Sequence, residues 1–193
     1  MKRLLSTAAI LAAGTAPALA HVGHGATESL AAGIAHPLSG LDHITVMVAV
    51  GLWAALKGGK ALWAWPAAFV GVMLIGGALG MAHVGLPFVE PAILASVVAL
   101  GLMVALAVDL PVAVGAAIIG AFALFHGYAH GVVGGEGTGA AEYMAGFAIS
   151  TAALHAAGIG FALVAARHSL RPLVRLAGAV CVVIGAGLVG GVL

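Results

Sequence analysis

Residues 112–132 read VAVGAAIIGAFALFHGYAHGV, a stretch without a single lysine, arginine, aspartate or glutamate. A helix needs about 20 consecutive apolar residues to cross the hydrocarbon core of a bilayer. The stretch therefore predicts a transmembrane helix, and five further stretches of the same character accompany it. We predict an all-α membrane protein, a bundle of six transmembrane helices at about 34–56, 62–82, 91–108, 112–132, 142–166 and 173–192.

The composition agrees with a membrane protein that has one domain. Of 193 residues, 63% are hydrophobic and 7% are charged, whereas soluble domains are about 25% charged. The net charge of +1 and the lack of a basic patch argue against nucleic-acid binding. The single cysteine, Cys181, cannot form an internal disulfide. We predict one transmembrane domain over residues 21–193.

The first 20 residues have the pattern of a secretory signal peptide. Lys2 and Arg3 precede a short apolar stretch, and Ala18-Leu19-Ala20 provides small residues for cleavage. The alternative is an uncleaved signal anchor. Cleavage after Ala20 would leave His21 and His24 near an exported N-terminus, either as a collection point for metal ions or as a disordered tail.

Charged residues predict the orientation of the bundle. All lysines and arginines after the signal peptide fall in, or within three residues of, the loops that follow the first and fifth predicted helices, and such residues favour the cytoplasmic side. We therefore predict an inner-membrane protein with both mature termini in the periplasm. Trp53, Trp63 and Trp65 cluster near the predicted cytoplasmic interface, where aromatic belts form.

The first predicted helix contains the sequence HPLSGLDH at residues 36–43. His36 and His43 are seven residues apart, which returns them to within about 20° of the same helix face. Gly40 shares that side and would leave space for a substrate. Pro37 removes a backbone donor and suits a helix start or a break.

The fourth predicted helix ends with a second histidine pair. His126 and His130 are at positions i and i+4, so they lie one above the other on one face. Ionisable residues in a membrane are costly and usually mark pathways, although a single histidine can simply hydrogen-bond a neighbouring helix. We predict that the outer half of the bundle holds a metal ion through His36, Asp42, His43, His126 and His130. Further candidates are His83, Glu136, His155, His21 and His24.

The residue types limit which metal can bind. Imidazole and carboxylate groups suit nickel, cobalt, zinc or copper(II), and the methionines form no cluster in the sequence that would favour copper(I). Asp42 is either a ligand or an acceptor that fixes the tautomer of a ligating histidine. We expect no organic cofactor.

These motifs resemble those of the HupE/UreJ family of nickel permeases. Its His-Pro-x-x-Gly-x-Asp-His signature is matched at residues 36–43, and its Phe-His-Gly-x-Ala-His-Gly signature is matched at residues 125–131. Glu136 lies further along than the glutamate that accompanies the second signature. The resemblance implies uptake of nickel, or of cobalt, that supplies hydrogenase or urease maturation proteins.

Two other functions use the same residues. One is an intramembrane zinc hydrolase with Ser39 or Ser150 near three histidines and an aspartate. The other is a membrane metal sensor or donor that passes its ion to a partner without transport.

Overall fold

The computed structural model describes residues 29–134 and 139–193. The predicted signal peptide and the candidates His21, His24 and Glu136 lie outside these residues. Within them, every regular element is helical. The elements are α1 (Leu30–Ala35), a 3-10 turn (His36–Leu38), α2 (Leu41–Lys57), α3 (Ala61–Met81), α4 (Val89–Ala105), α5 (Val112–Gly134), α6 (Ala140–Arg167) and α7 (Arg171–Val189).

The helices support a multi-pass membrane protein, but not the full count of six spans. In the described part of the chain, α3, α5, α6 and α7 are each long and apolar enough to cross a membrane. The bent pair of α1 and α2 brings the number to five. The helix α4 has 17 residues, about 26 Å at 1.5 Å per residue, and is shorter than the roughly 30 Å hydrocarbon core.

The predicted continuous helix at 34–56 is wrong at its beginning. The segment Leu30–Leu38 meets α2 at an angle of 85°. Pro37 starts the 3-10 turn, and Gly40 is in an extended conformation directly before α2. Proline offers no backbone donor to continue the hydrogen-bond pattern, and glycine adopts extended conformations readily. His36 and His43 therefore lie on two elements, and the argument that they share one helix face does not hold.

Glycines bring α5 into backbone contact with α3. A Cβ atom added to Gly127 or Gly131 would overlap the carbonyl oxygen of Met73 or Gly77, respectively. Small residues permit such close approaches between membrane helices. Because Gly127 follows His126 and Gly131 follows His130, this contact also sets the position of the histidine pair.

The expectation of an aromatic belt holds for only one of the three tryptophans. Trp63 is largely exposed, whereas Trp53 and Trp65 are fully buried with ring centroids 4.3 Å apart. Their indole N–H groups donate to the carbonyls of Val108 (2.8 Å) and Val112 (2.9 Å). A buried indole needs such a partner, and the segment that joins α4 to α5 provides it.

Candidate metal site

Three buried imidazole rings meet in the interior of the bundle. Nε2 of His43, in the first turn of α2, lies 3.2 Å from Nδ1 of His126 and contacts Nε2 of His130. His126 and His130 are one turn apart on α5, and both face His43, as their i, i+4 spacing predicts. We call His43, His126 and His130 the histidine cluster.

The Asp42 carboxylate orients the ring of His43 from the side opposite the other two histidines. Oδ2 of Asp42 lies 2.9 Å from Nδ1 of His43. A carboxylate accepts the Nδ1 proton and leaves the Nε2 lone pair free. The other oxygen, Oδ1, lies 2.6 Å from where a Cβ of residue 40 would be. Gly40 thus makes room for the Asp42 carboxylate rather than for a substrate, which corrects the sequence interpretation.

Ser96 on α4 orients His126 in a similar way, and the sequence analysis missed it. Its hydroxyl donates to the carbonyl of Ile93 (2.5 Å) and lies 2.8 Å from Nε2 of His126. Since the hydroxyl proton is already donated, the serine oxygen accepts the Nε2 proton of His126. The Nδ1 lone pair of His126 then points at His43. The available signal was a polar residue in the apolar middle of α4.

The hydrogen-bond partners of the two rings favour tautomers whose lone pairs face each other. With the Nδ1 proton of His43 on Asp42 and the Nε2 proton of His126 on Ser96, lone pairs on Nε2 of His43 and Nδ1 of His126 meet across 3.2 Å, an arrangement that a cation between them would stabilise. On the third ring, Nδ1 of His130 has no hydrogen-bond partner among the described residues. The cluster is therefore rich in unshared electron pairs in a buried place.

The cluster is not spaced to enclose an ion as it stands. Two nitrogens bound to one tetrahedral ion at 2.0–2.1 Å are about 3.4 Å apart, close to the separation of His43 and His126. No group of three His, Cys, Asp or Glu side chains is preformed as a metal site in the described residues. Binding an ion through all three rings therefore requires the rings to adjust their relative positions.

His36 lies at the edge of the cluster. Its half-buried ring is 4.8 Å from the ring of His130 and 6.0 Å from that of Tyr143, measured between centroids. Tyr143 is buried, and its hydroxyl has no partner within the described chain. The structure thus brings together all five main candidates, His36, Asp42, His43, His126 and His130, and adds Ser96 and Tyr143.

The remaining candidates are separate from the cluster. His83 follows α3 with an exposed side chain and a positive φ of 52°. His155 is buried on α6, with its ring 5.1 Å from that of Phe69. Ser39, one of the two serines considered for a hydrolase, donates to the backbone carbonyl of His36 (2.7 Å) and not to an imidazole.

Comparison with known proteins identifies the family. The HupE/UreJ protein family matches residues 8–188. The chain belongs to the HupE/UreJ family. It is 47% identical to Protein HupE of Rhizobium leguminosarum bv. viciae over 172 residues, which cover 89% of this chain and 90% of the relative. No solved structure is significantly similar to it.

Membership of the HupE/UreJ family distinguishes a transport protein from a zinc hydrolase. The family consists of hydrogenase and urease accessory proteins associated with nickel and cobalt transport. Its members are transport and accessory proteins rather than enzymes. The sequence-based expectation of a HupE/UreJ transport protein is confirmed, and the zinc hydrolase is not supported.

Proposed function

We propose that this HupE/UreJ protein is an inner-membrane permease that carries nickel from the periplasm to the cytoplasm. The transported ion is bound by His43, His126 and His130. Cobalt and zinc are the other divalent ions that such imidazole ligands accept. The ion delivered to the cytoplasm supplies hydrogenase or urease maturation proteins.

The convergence of imidazole lone pairs carries this proposal. In the tautomers that Asp42 and Ser96 favour, the lone pairs of His43 and His126 face each other across 3.2 Å in a buried place, where a cation between them would be bound by both nitrogens. Lysine and arginine are absent from the cluster, and the nearest charge is the Asp42 carboxylate. A divalent cation that gives up its hydration water is stabilised there by neutral nitrogen ligands and by the negative charge of the Asp42 carboxylate.

Each neighbouring residue has a separate role in this proposal. Asp42 is a positioning residue, since it holds the Nδ1 proton of His43 and does not itself face the other rings. Ser96 does the same for His126. His36 is half buried and contacts the ring of His130. It receives the ion first and passes it inward to the histidine cluster.

The charges at the two ends of the bundle support the orientation that uptake from the periplasm requires. Basic side chains of Lys57, Arg171 and Arg175 line one cavity of about 380 Å³ together with Asp109. His43 is 14 residues from Lys57 along α2, about 21 Å at 1.5 Å per residue. By the positive-inside rule the basic end faces the cytoplasm, so the histidine cluster faces the periplasm and loads from there.

The test is metal flux into proteoliposomes with nickel, cobalt and zinc in parallel. We expect saturable nickel uptake in the wild-type protein and no uptake in His43→Ala or His126→Ala at equal protein content. The control is His168→Ala, which alters an exposed histidine at the end of α6 and should transport normally. Tight nickel binding without flux in the wild-type protein would instead indicate a membrane metal donor or sensor.

A further inference from the structure

A second buried histidine lies apart from the histidine cluster. His155 on α6 is 1% exposed, and neither of its ring nitrogens has a hydrogen-bond partner in the described part of the chain. Burying an unsatisfied polar group costs roughly 1–3 kcal/mol, and native proteins rarely leave such groups unpaired. A role in packing alone does not explain why this position is not apolar.

The position of His155 makes it the next imidazole inward from the cluster. The ring of Phe69 lies between the two sites, 5.9 Å from His126 and 5.1 Å from His155 between centroids. Along α6, His155 is 15 residues from Ala140 and 12 residues from Arg167, about 22 and 18 Å at 1.5 Å per residue. It therefore lies near the middle of the membrane-spanning helix.

Other neutral donor groups lie close to His155. Thr151 is one turn away on the same face of α6, and its hydroxyl donates to the sulfur of Met73 (3.6 Å). Met73 is one turn from Phe69 on α3. The imidazole of His155 suits a borderline divalent ion, and the Thr151 hydroxyl and the Met73 sulfur are neutral donors beside it.

His155 also borders a groove on the bundle. The groove, of about 260 Å³, lies between α3 and α6 and is lined by His155, Leu62 and Pro66 among others. Pro66 lies inside α3 and has no N–H to donate to the carbonyl of Leu62. Leu62 belongs to the first turn of α3, at the basic end of the bundle.

We propose that His155, with Thr151 one turn away and Met73 on the facing helix, is an inner metal-binding station that receives the transported divalent cation from the histidine cluster. The inference rests on the proposed function, and it adds a second site to it. The inner station lacks a carboxylate, so it binds more weakly than the cluster beside Asp42. Conduction needs such sites, where binding is strong enough for the ion to arrive and weak enough for it to leave.

A cysteine at position 155 tests the site without measuring transport. In a Cys181→Ala background, which removes the native thiol, His155→Cys places a thiolate ligand at the proposed station. We expect added Co²⁺ to produce a thiolate-to-cobalt charge-transfer absorption band. The matched control is Ala157→Cys in the same background, on an exposed part of α6 outside the cavity lining, which should give no band. A His155→Cys protein without a band above this control would overturn the proposal.

A second variant keeps the proposal testable if the His155→Cys protein fails to fold. His155→Leu keeps a side chain of similar size and removes the nitrogens. We expect two Co²⁺ ions per wild-type chain and one per His155→Leu chain, with the tighter site unchanged. Equal stoichiometry in the two proteins would contradict the inner station.

The two proposals can fail separately. A wild-type protein that shows no flux, but whose His155→Cys variant gives the cobalt band, would refute the permease and keep the inner station. If the permease stands, His155→Leu should lower the maximal flux roughly tenfold or more and leave nickel binding at the histidine cluster unchanged. Normal maximal flux in His155→Leu would exclude His155 from the pathway.

Discussion

Oδ2 of Asp42 lies 2.9 Å from Nδ1 of His43, the residue that follows it in α2. The contact fixes the His43 proton on the side away from the other rings. It also turns the Nε2 lone pair toward His126 and His130. Asp42, His43 and the histidine pair of α5 therefore act as one unit, in which Asp42 orients a ligand and need not be one.

Replacing Asp42 tests this positioning role. We expect Asp42→Asn to weaken nickel binding about 10- to 100-fold, the usual effect of losing a partner that orients a ligand. His43→Ala should abolish binding, because it removes the central nitrogen. Equilibrium dialysis of the purified protein with nickel measures both. The control is Asp109→Asn, which changes the carboxylate paired with Lys57 at the other end. A loss in Asp42→Asn as complete as that in His43→Ala would make Asp42 a direct ligand.

Ser96 should matter for metal binding although it does not face the centre of the cluster. In Ser96→Ala, the Nε2 proton of His126 loses its acceptor, and the ring is free to present N–H instead of a lone pair to His43. We expect roughly tenfold weaker nickel binding, together with a loss of about 1–3 kcal/mol in stability. Ser150→Ala, at a buried serine outside the cluster, is the control for cavity formation. Equal nickel affinities in both variants would remove Ser96 from the site.

Replacing Gly127 by alanine, the smallest possible enlargement, should disturb the packing of α5 against α3. In Gly127→Ala the new methyl group overlaps the carbonyl of Met73, so α5 must move away from α3. We expect a lower unfolding temperature and lower nickel affinity, because the shift displaces His126. Gly71→Ala is a matched control on α3, where a Cβ meets nothing within 4 Å and helix propensity improves by up to about 1 kcal/mol. Identical unfolding temperatures in the two variants would contradict the close packing of α3 and α5.

Nickel should stabilise the folded protein in detergent. A ligand at 100 times its dissociation constant adds about 2.7 kcal/mol to the free energy of unfolding. We therefore expect the unfolding temperature to rise with nickel concentration in the wild-type protein and to stay constant in His126→Ala. Magnesium should have no effect, because it prefers oxygen ligands in octahedral geometry. A nickel-dependent rise that persists in His126→Ala would locate the bound ion elsewhere.

The pair on α5 illustrates what could be predicted from local sequence. The spacing of His126 and His130 places both on one face of any helix, and both contact His43 in the structure. The pair His36 and His43 shows the limit of the same reasoning. The bend at Gly40 interrupts the helical periodicity between them, and His36 meets the cluster through the ring of His130 instead.

Ser96 and His155 could not be assigned partners from the sequence. Ser96 meets His126 across 30 residues, and His155 meets Phe69 across 86 residues, from helices whose order in space the sequence pattern does not specify. Both stood out only as polar residues in apolar stretches. Which of them contacts the cluster depends on the rotation and depth of each helix.

The amino-acid sequence by itself determined where the apolar helices run, which end of the bundle is basic and which residue types could bind a metal. These features depend on hydropathy, charge and the helical repeat, which act over a few residues. Only the tertiary structure decided the 85° bend before α2, the meeting of the three imidazoles and the isolation of His155. Those features depend on which backbones approach closely, and that is set by contacts such as Gly127 against Met73 between residues far apart in the chain.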